Sequence, residues 1–256
     1  MTGRTIALLR DGFPERPAFD TAVSKAMLRL VSQGRLPETL RLYRPGAMVA
    51  FGGQDISSPG YLEAVSTARS QGFEAVQRLA GGRAAVYHEE TIAFAWTIPG
   101  RTLKQSIAER FQEISAITAE ALRSLGVDAR VGEVNGEYCP GTYSVNARGA
   151  TKLMGVGQRL DANAAHVGGV IVVSGADRIS RVLVPVYEAL HIPWDPSTTG
   201  SITDEVGSVT YADVEQAVLE AFSQRHTVVP TVVTSEALTL AEELEPEHRS
   251  PQFAPA

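Results

Sequence analysis

A mixed, largely antiparallel sheet flanked by helices, an α+β fold, is the architecture the sequence predicts, and three observations predict it. Runs with strand character alternate irregularly with helical stretches, which argues against a doubly wound parallel sheet. Several strand-like runs are separated by only a few turn-forming residues, as in hairpins. The chain has 256 residues, of which 44% are hydrophobic and 20% charged, enough to bury a real core in one large domain or two small ones.

Residues 6–9 read as a short apolar strand ending in the turn sequence Asp11, Gly12, Phe13, Pro14. From Phe19, the apolar positions Ala22, Val23, Ala26, Met27, Leu30 and Val31 recur at helical spacing, and Gly34 closes the helix as a C-terminal cap. Residues 40–43 and 48–51 are strand-like on either side of Pro45 and Gly46, and Gly52-Gly53 then breaks the pattern. A helix over 59–71 is expected, capped by Ser57 or Ser58 and ended by Gly72. Residues 74–78 form a strand running into Ala80-Gly81-Gly82-Arg83, and 84–88 with 91–98 suggest a hairpin. The stripe Ile107, Phe111, Ile114, Leu122, Leu125 makes 105–125 the clearest helix, stopped by Gly126.

Residues 142–147 place Tyr143, Val145 and Ala147 on one face and Ser144 and Asn146 on the other. The chain then turns at Arg148-Gly149 and returns through 152–158, a hairpin with Cys139 at its entrance and Lys152 on the returning strand. A nearly all-apolar strand over 167–173 follows, then a helix over 179–190 interrupted or restarted near Pro185, a loop over 192–201, and a last helix from Thr210 to Phe222. Five glutamates lie between Glu236 and Glu247, so a marginal helix and then disorder are expected there. The domain reading is a single domain over 1–228 and an acidic, partly disordered tail over 229–256.

A net charge of −6 argues against general nucleic-acid binding. One cysteine cannot form an internal disulfide, the N-terminus has no apolar stretch of signal-peptide length, and no run approaches the roughly 18 apolar residues of a membrane helix. A cytoplasmic protein is expected.

The chemistry is placed in the stretch from Gly132 to Arg159. Cys139 precedes Pro140 and Gly141, turn chemistry that sets the thiol in a loop; a single cysteine is otherwise an inert small hydrophobe. Lys152 reads as a solvated surface lysine or as a cation aimed at a carbonyl or phosphate oxygen from a strand continued by Gly155 and Gly157. Gly81 and Gly82, flanked by Arg78 and Arg83 with His88 ending the strand, read either as a tight turn or as backbone that can approach a ligand. They match neither the Walker loop nor the dinucleotide fingerprint. His88, His166 and His191 lack metal-ligand spacing, so no metal site is expected. No Gly-x-Ser-x-Gly elbow is present.

Arg78-x-x-Gly81-Gly82-Arg83, His88, and Lys152-x-x-Gly155-x-x-Gln158, in that order, resemble the biotin/lipoate protein ligase and transferase superfamily. The resemblance runs from about Arg10 to about Phe222. Two features look like the cysteine-dependent octanoyltransferases: Gly-Gly-Arg83 without a third glycine, and Cys139 upstream of the lysine strand. Gly157, where alanine or serine is common, and Pro140 after the cysteine depart from that pattern.

The resemblance implies the fold of the biotinyl and lipoyl ligase catalytic domain, with residues 1–228 as the catalytic domain. It implies transfer of an octanoyl or lipoyl group from acyl carrier protein, or another lipoyl-domain protein, to a lysine of a lipoyl-domain protein such as glycine cleavage H protein or a 2-oxoacid dehydrogenase E2. Cys139 would carry the acyl group and Lys152 would polarise the carbonyl. Arg78, Gly81, Gly82, Arg83, His88, Gly155 and Gln158 would bind substrate, with Val86 and Val156 along the acyl tunnel. No cofactor is implied. ATP and Mg enter only in the alternative of a lipoate-protein ligase, and a non-catalytic acyl- or lipoyl-binding protein is the third reading.

Overall fold

The computed structural model describes residues 3–101 and 103–252. In chain order, β1 (Thr5–Leu9) leads to α1 (Pro17–Ser32), β2 (Thr39–Tyr43) and β3 (Met48–Phe51). The single turn α2 (Gly53–Ile56) and α3 (Tyr61–Ser70) precede β4 (Glu74–Gln77), β5 (Ala85–Tyr87) and β6 (Thr91–Pro99). Then come α4 (Ile107–Ser124), β7 (Ala129–Val131), β8 (Val145–Ala147), β9 (Thr151–Leu160) and β10 (Ala164–Val172). The chain continues through α5 (Ala176–Ala189), α6 (Ile202–Val206), α7 (Tyr211–Ser223), β11 (Thr227–Pro230) and α8 (Ser235–Leu244).

Eight strands form one mixed sheet in the order β11-β1-β2-β6-β10-β9-β8-β7, and β4-β3-β5 form a second. β1 pairs in parallel with β11 and β2, as β3 does with β4; the other pairings are antiparallel. This is the expected α+β architecture. Period-2 alternation builds the core: Leu40, Leu42, Ile92, Phe94, Trp96 and Ile98 share one cluster with Ile114, Ile117 and Leu122 of α4 and Val218 and Phe222 of α7. Ala93, Val170 and Val172 share another with the small sheet and helices α3 and α5. The buried Arg41 on β2 is matched by the equally buried Asp20 of α1, to which it is ion-paired.

Four expectations change within residues 1–228. The runs 84–88 and 91–98 do not form a hairpin. β5 pairs with β3, whereas β6 pairs with β2 on one edge and β10 on the other. Both edges of β6 are therefore occupied, and the His88–Thr91 turn hands the chain from one sheet to the other. The cysteine hairpin exists with a tight turn at Arg148 (φ 57°) and Gly149 (φ 75°), but β8 starts only at Val145 and Cys139 lies in the preceding loop. α5 runs unbroken through Pro185; the carbonyl that loses its partner belongs to the exposed Arg181, on the solvent side. The helix over 61–70 is preceded by Gly60, with no serine side chain capping it.

The segment expected as a partly disordered tail is packed through residue 252. β11 extends the large sheet beside β1, and Ala237, Ala241 and Leu244 of α8 lie against Phe19, Val23 and Met27 of α1. Its acidic residues meet basic ones of α1 and its flanks: Glu242 and Glu245 with Arg16, Glu247 with Lys25 and Arg29, Glu236 with Arg35. An i, i+4, i+7 apolar stripe was hidden under acidic composition. Residues 253–256 lie outside the described residues.

Candidate active site

The site forms where the two sheets meet. The turn that joins β4 to β5, residues 78–84, is set against β9 and against the loop from Gly132 to Ser144 that joins β7 to β8. Two glycines make this approach possible. A Cβ on Gly157 of β9 would stand 2.9 Å from the Gly81 carbonyl oxygen and 3.0 Å from the Ala80 Cβ, and one on Gly52 would overlap the Gly82 carbonyl oxygen at 1.7 Å. The departure from alanine or serine at Gly157 thus has a local cause: in this chain the turn lies directly on the strand.

Cys139 is half-buried, with its backbone at φ 43°. That left-handed conformation costs a residue other than glycine about 1–2 kcal/mol, so the surroundings must hold it. Its N–H donates to the Tyr187 hydroxyl at 2.8 Å, and that hydroxyl donates onward to the Ala84 carbonyl at 2.9 Å. Burial raises the Tyr187 phenol well above its ordinary range, followed in effect by the neighbouring Cys139, so it stays neutral and can donate. The Cys139 sulfur faces the turn. The Arg83 N–H donates to it at 3.3 Å and the Arg78 Nη1 at 3.6 Å. Gly82 (φ 112°) leaves room for it, since a Cβ there would stand 2.9 Å from the sulfur.

In front of the sulfur opens a cleft of 470 Å³, within the range of about 300–1,000 Å³ typical of small-molecule sites. Gly81 and Gly82 line one side, residues 140–144 another, Val156, Gly157, Gln158 and Leu160 of β9 the floor, and Ile107 and Phe111 of α4 the rim. Phe111 stacks on Tyr143 with ring centroids 5.2 Å apart and planes 12° from parallel. Gln158 ties the rim together, accepting from Arg110 Nε at 2.6 Å and donating to the Ile107 carbonyl at 3.2 Å.

Lys152 lines a small enclosed cavity together with Arg78, Cys139, Gly155 and Val156. Its ammonium has three donors, and all three are engaged behind Cys139: with Glu137 Oε1 at 2.9 Å, the Tyr138 carbonyl at 2.9 Å and the Cys139 carbonyl at 2.7 Å. It also lies over the Tyr138 ring, 4.9 Å from the centroid. Gly155 makes room for the stem, as a Cβ there would stand 3.2 Å from Lys152 Cε. Lys152 and Glu137 are both buried. Removing one partner of such a pair typically costs about 3–5 kcal/mol.

Of the other expected residues, Arg78, Gly81, Gly82 and Gln158 reach the cleft or its sulfur. Arg83 contributes its N–H, while its guanidinium turns away to Asp55 at 3.3 Å. His88 is not brought to the cleft. It is buried at the end of β5, its Nδ1 accepting from the Glu90 N–H at 3.2 Å, and burial, then the nearby Arg178, pushes it down to about 4. Val86 is core, and Val156 lines the cleft. Sequence reasoning missed Glu137 and Tyr187. A glutamate in a Gly- and Asn-rich loop carries the mark of a surface residue, and a tyrosine on the apolar stripe of α5 that of core. Among the described residues no three His, Cys, Asp or Glu side chains are grouped to hold a metal ion, and no helix is long and apolar enough to cross a membrane.

Comparison with known proteins agrees with this architecture. The family model for the lipoyl protein ligase A/B catalytic domain matches residues 16–223. An octanoyl-GcvH:protein N-octanoyltransferase of Geobacillus kaustophilus is 29% identical over 147 residues, 56% of this chain and 52% of that protein, so the match spans about half the relative's length. Octanoyltransferase LipM of Brevibacillus brevis is 27% identical, covering 89% of this chain and 90% of its own. The structure of a lipoate-protein ligase A bound with ATP superposes with a TM-score of 0.76 over 96% of this chain and 95% of that one, at 23% identity, a likeness of fold.

Proposed function

The chain belongs to the lipoyl protein ligase A/B catalytic-domain family, and from that premise we propose that it transfers an octanoyl or lipoyl group to a lysine of a lipoyl-domain protein through a Cys139 thioester. The observation that carries this reading is the Cys139 sulfur at the wall of a partly apolar cleft, held under the Arg83 N–H and the Arg78 guanidinium. The relatives act in name on GcvH or as octanoyltransferases, which supports the same substrate class. The donor is octanoyl-acyl carrier protein or another acylated lipoyl-domain protein; the acceptor is a lysine on glycine cleavage H protein or a 2-oxoacid dehydrogenase E2.

The chemistry divides into two acyl transfers. The sulfur attacks the donor carbonyl, a carbon–sulfur bond forms, and the donor's leaving group departs with the proton that Cys139 gave up. The acceptor amine then attacks the acyl-cysteine, a carbon–nitrogen bond forms, and the amine's proton goes to the departing cysteine sulfur. From a thioester donor the overall change to an amide is downhill, so the reading requires neither ATP nor a metal. Each addition places negative charge on the carbonyl oxygen beside the sulfur, where the Arg83 N–H and Arg78 are the donors at hand. Ile107, Phe111, Tyr143 and Val156 offer apolar surface to the acyl chain.

The test is intact-protein mass after incubation with octanoyl-acyl carrier protein, and separately with octanoyl-GcvH, without ATP. Wild type should gain a hydroxylamine-sensitive octanoyl adduct that Cys139→Ser lacks. If no adduct forms, yet octanoate with Mg-ATP modifies a lipoyl domain equally well with either protein, the cysteine is structural and the chain is a ligase.

A further inference from the structure

We propose that the buried Glu137–Lys152 pair is a positioning device for the nucleophile, so that Lys152 acts on the reaction through the backbone of Cys139 and not on the substrate. The inference rests on the acyl-cysteine reading above and assigns its geometry to two residues that do not touch substrate.

Every contact of the pair converges on one loop. Glu137 Oε1 accepts from Lys152 Nζ at 2.9 Å, from the Ser144 hydroxyl at 2.6 Å and from the Gly141 N–H at 3.1 Å, while Oε2 accepts from the Val134 N–H at 3.0 Å. One carboxylate thereby pins the loop before and after the cysteine. Lys152, near the start of β9 where it pairs with β8, takes the carbonyls of Tyr138 and Cys139 with its remaining donors. The Cys139 N–H is taken by Tyr187, so both peptide units around the nucleophile are tied to a strand through Lys152, and the first of them to a helix as well. This is what a left-handed cysteine needs, because its φ of 43° would relax if the loop were free. Relaxation would swing the sulfur away from the Arg83 N–H and from the space left by Gly82. A free ammonium could not serve both roles: with three donors engaged inside the protein, none points at the cleft.

The experiment compares wild type with Glu137→Gln, Lys152→Met and the double variant by hydrogen exchange and by octanoyl transfer from octanoyl-acyl carrier protein to a lipoyl domain. Thermal unfolding is recorded for each. The double variant leaves no uncompensated buried charge, so it reports even if a single one unfolds. The expected result is exchange at residues 137–141 at least 10-fold faster in the variants, with β10 unchanged. kcat should fall about 10-fold at constant KM, and the double variant should be no worse than the poorer single one, as for residues that act as a unit. Loop exchange that stays at the wild-type rate overturns the proposal. So do kcat losses that multiply in the double variant, since Lys152 would then reach the substrate independently of Glu137. Were wild type to transfer no acyl group, the function would fail, while the exchange measurement would still decide whether the pair holds the loop.

Discussion

In front of the Cys139 sulfur lies a cleft from which even a methyl group on Gly82 is excluded by contact, and two donors are all that face the sulfur from the turn. Behind the same residue, its N–H and carbonyl and the carbonyl before it are each bonded, to Tyr187 and Lys152, and Glu137 braces Lys152 in turn. The two sides answer different demands. In the proposed transfer the sulfur has to remain accessible to two large substrates in turn, whereas the backbone that carries it has to be fixed within a fraction of an ångström. The front is therefore built from absent side chains, and the back from saturated polar ones. Perturbing the two sides should give separable consequences.

Acid should produce the largest effect, and it acts on the framework that carries both sides. His166 is buried on β10 in a small cavity it shares with Arg78, its Nδ1 without a partner, and burial, followed by the Arg78 charge, pushes it down to about 3. His88 is held down to about 4 by burial and then Arg178. In the unfolded chain both titrate near pH 6.5. Their folded values are depressed, so the unfolded state takes up protons first as pH falls. The stability they contribute is complete above about pH 6.5 and is lost between there and pH 3–4, with an upper slope of about 1.4 kcal/mol per pH unit for each histidine. The urea midpoint should drop between pH 6.5 and 4.5, and His166→Asn should flatten that dependence. A midpoint independent of pH over this range would show that burial of these histidines does not set the acid limit of the fold.

Gly82→Ala tests the front. The added carbon falls 2.9 Å from the sulfur at a backbone φ of 112°, which alanine tolerates poorly. Turnover should fall about 100-fold, equivalent to about 2.7 kcal/mol, alongside a loss of about 1–3 kcal/mol of stability from the strained φ. Gly81→Ala adds its carbon to open space and should cost less. Equal losses from the two would mean that the turn is sensitive as a whole and that contact with the sulfur is not what matters.

The sequence discloses front and back unequally for the same reason. Gly81, Gly82 and Cys139 are recognisable because residue type itself carries the information: missing side chains permit close approach, and a thiol beside Pro140 and Gly141 falls in a loop. The framework is legible too, since the alternation through Ile92, Phe94, Trp96 and Ile98 and the stripe of α4 follow from strand and helix periods. The direction of Lys152 is not legible, because it depends on a carboxylate fifteen residues earlier and on two carbonyls that residue type does not mark. His88 enters the expected site only through the motif it shares with Gly81 and Gly82, and 84–88 with 91–98 read from the sequence as one hairpin. Their separation into two sheets is a non-local choice made by β3 and β10. The acidic segment after Pro230 has the composition of a disordered tail, while the residues that neutralise it, Arg16, Lys25, Arg29 and Arg35, lie some two hundred residues away.

The smallest expected effect falls on the hydroxyl that links back to front. Tyr187 accepts from the Cys139 N–H and donates to the Ala84 carbonyl, next to the residue whose N–H meets the sulfur. Tyr187→Phe keeps the ring packed against Trp194, at a centroid distance of 5.3 Å, and deletes only this bridge. A net cost of about 1 kcal/mol in chemical denaturation is expected, with a several-fold loss of kcat at constant KM. If stability falls and kcat does not, the Glu137–Lys152 pair alone suffices to orient the cysteine and Tyr187 is a packing residue with a satisfied hydroxyl. If kcat falls as far as in Glu137→Gln, the helix and the strand hold the nucleophile jointly, and neither tether is redundant. The ratio of the two losses therefore measures how rigid the back must be for the front to work.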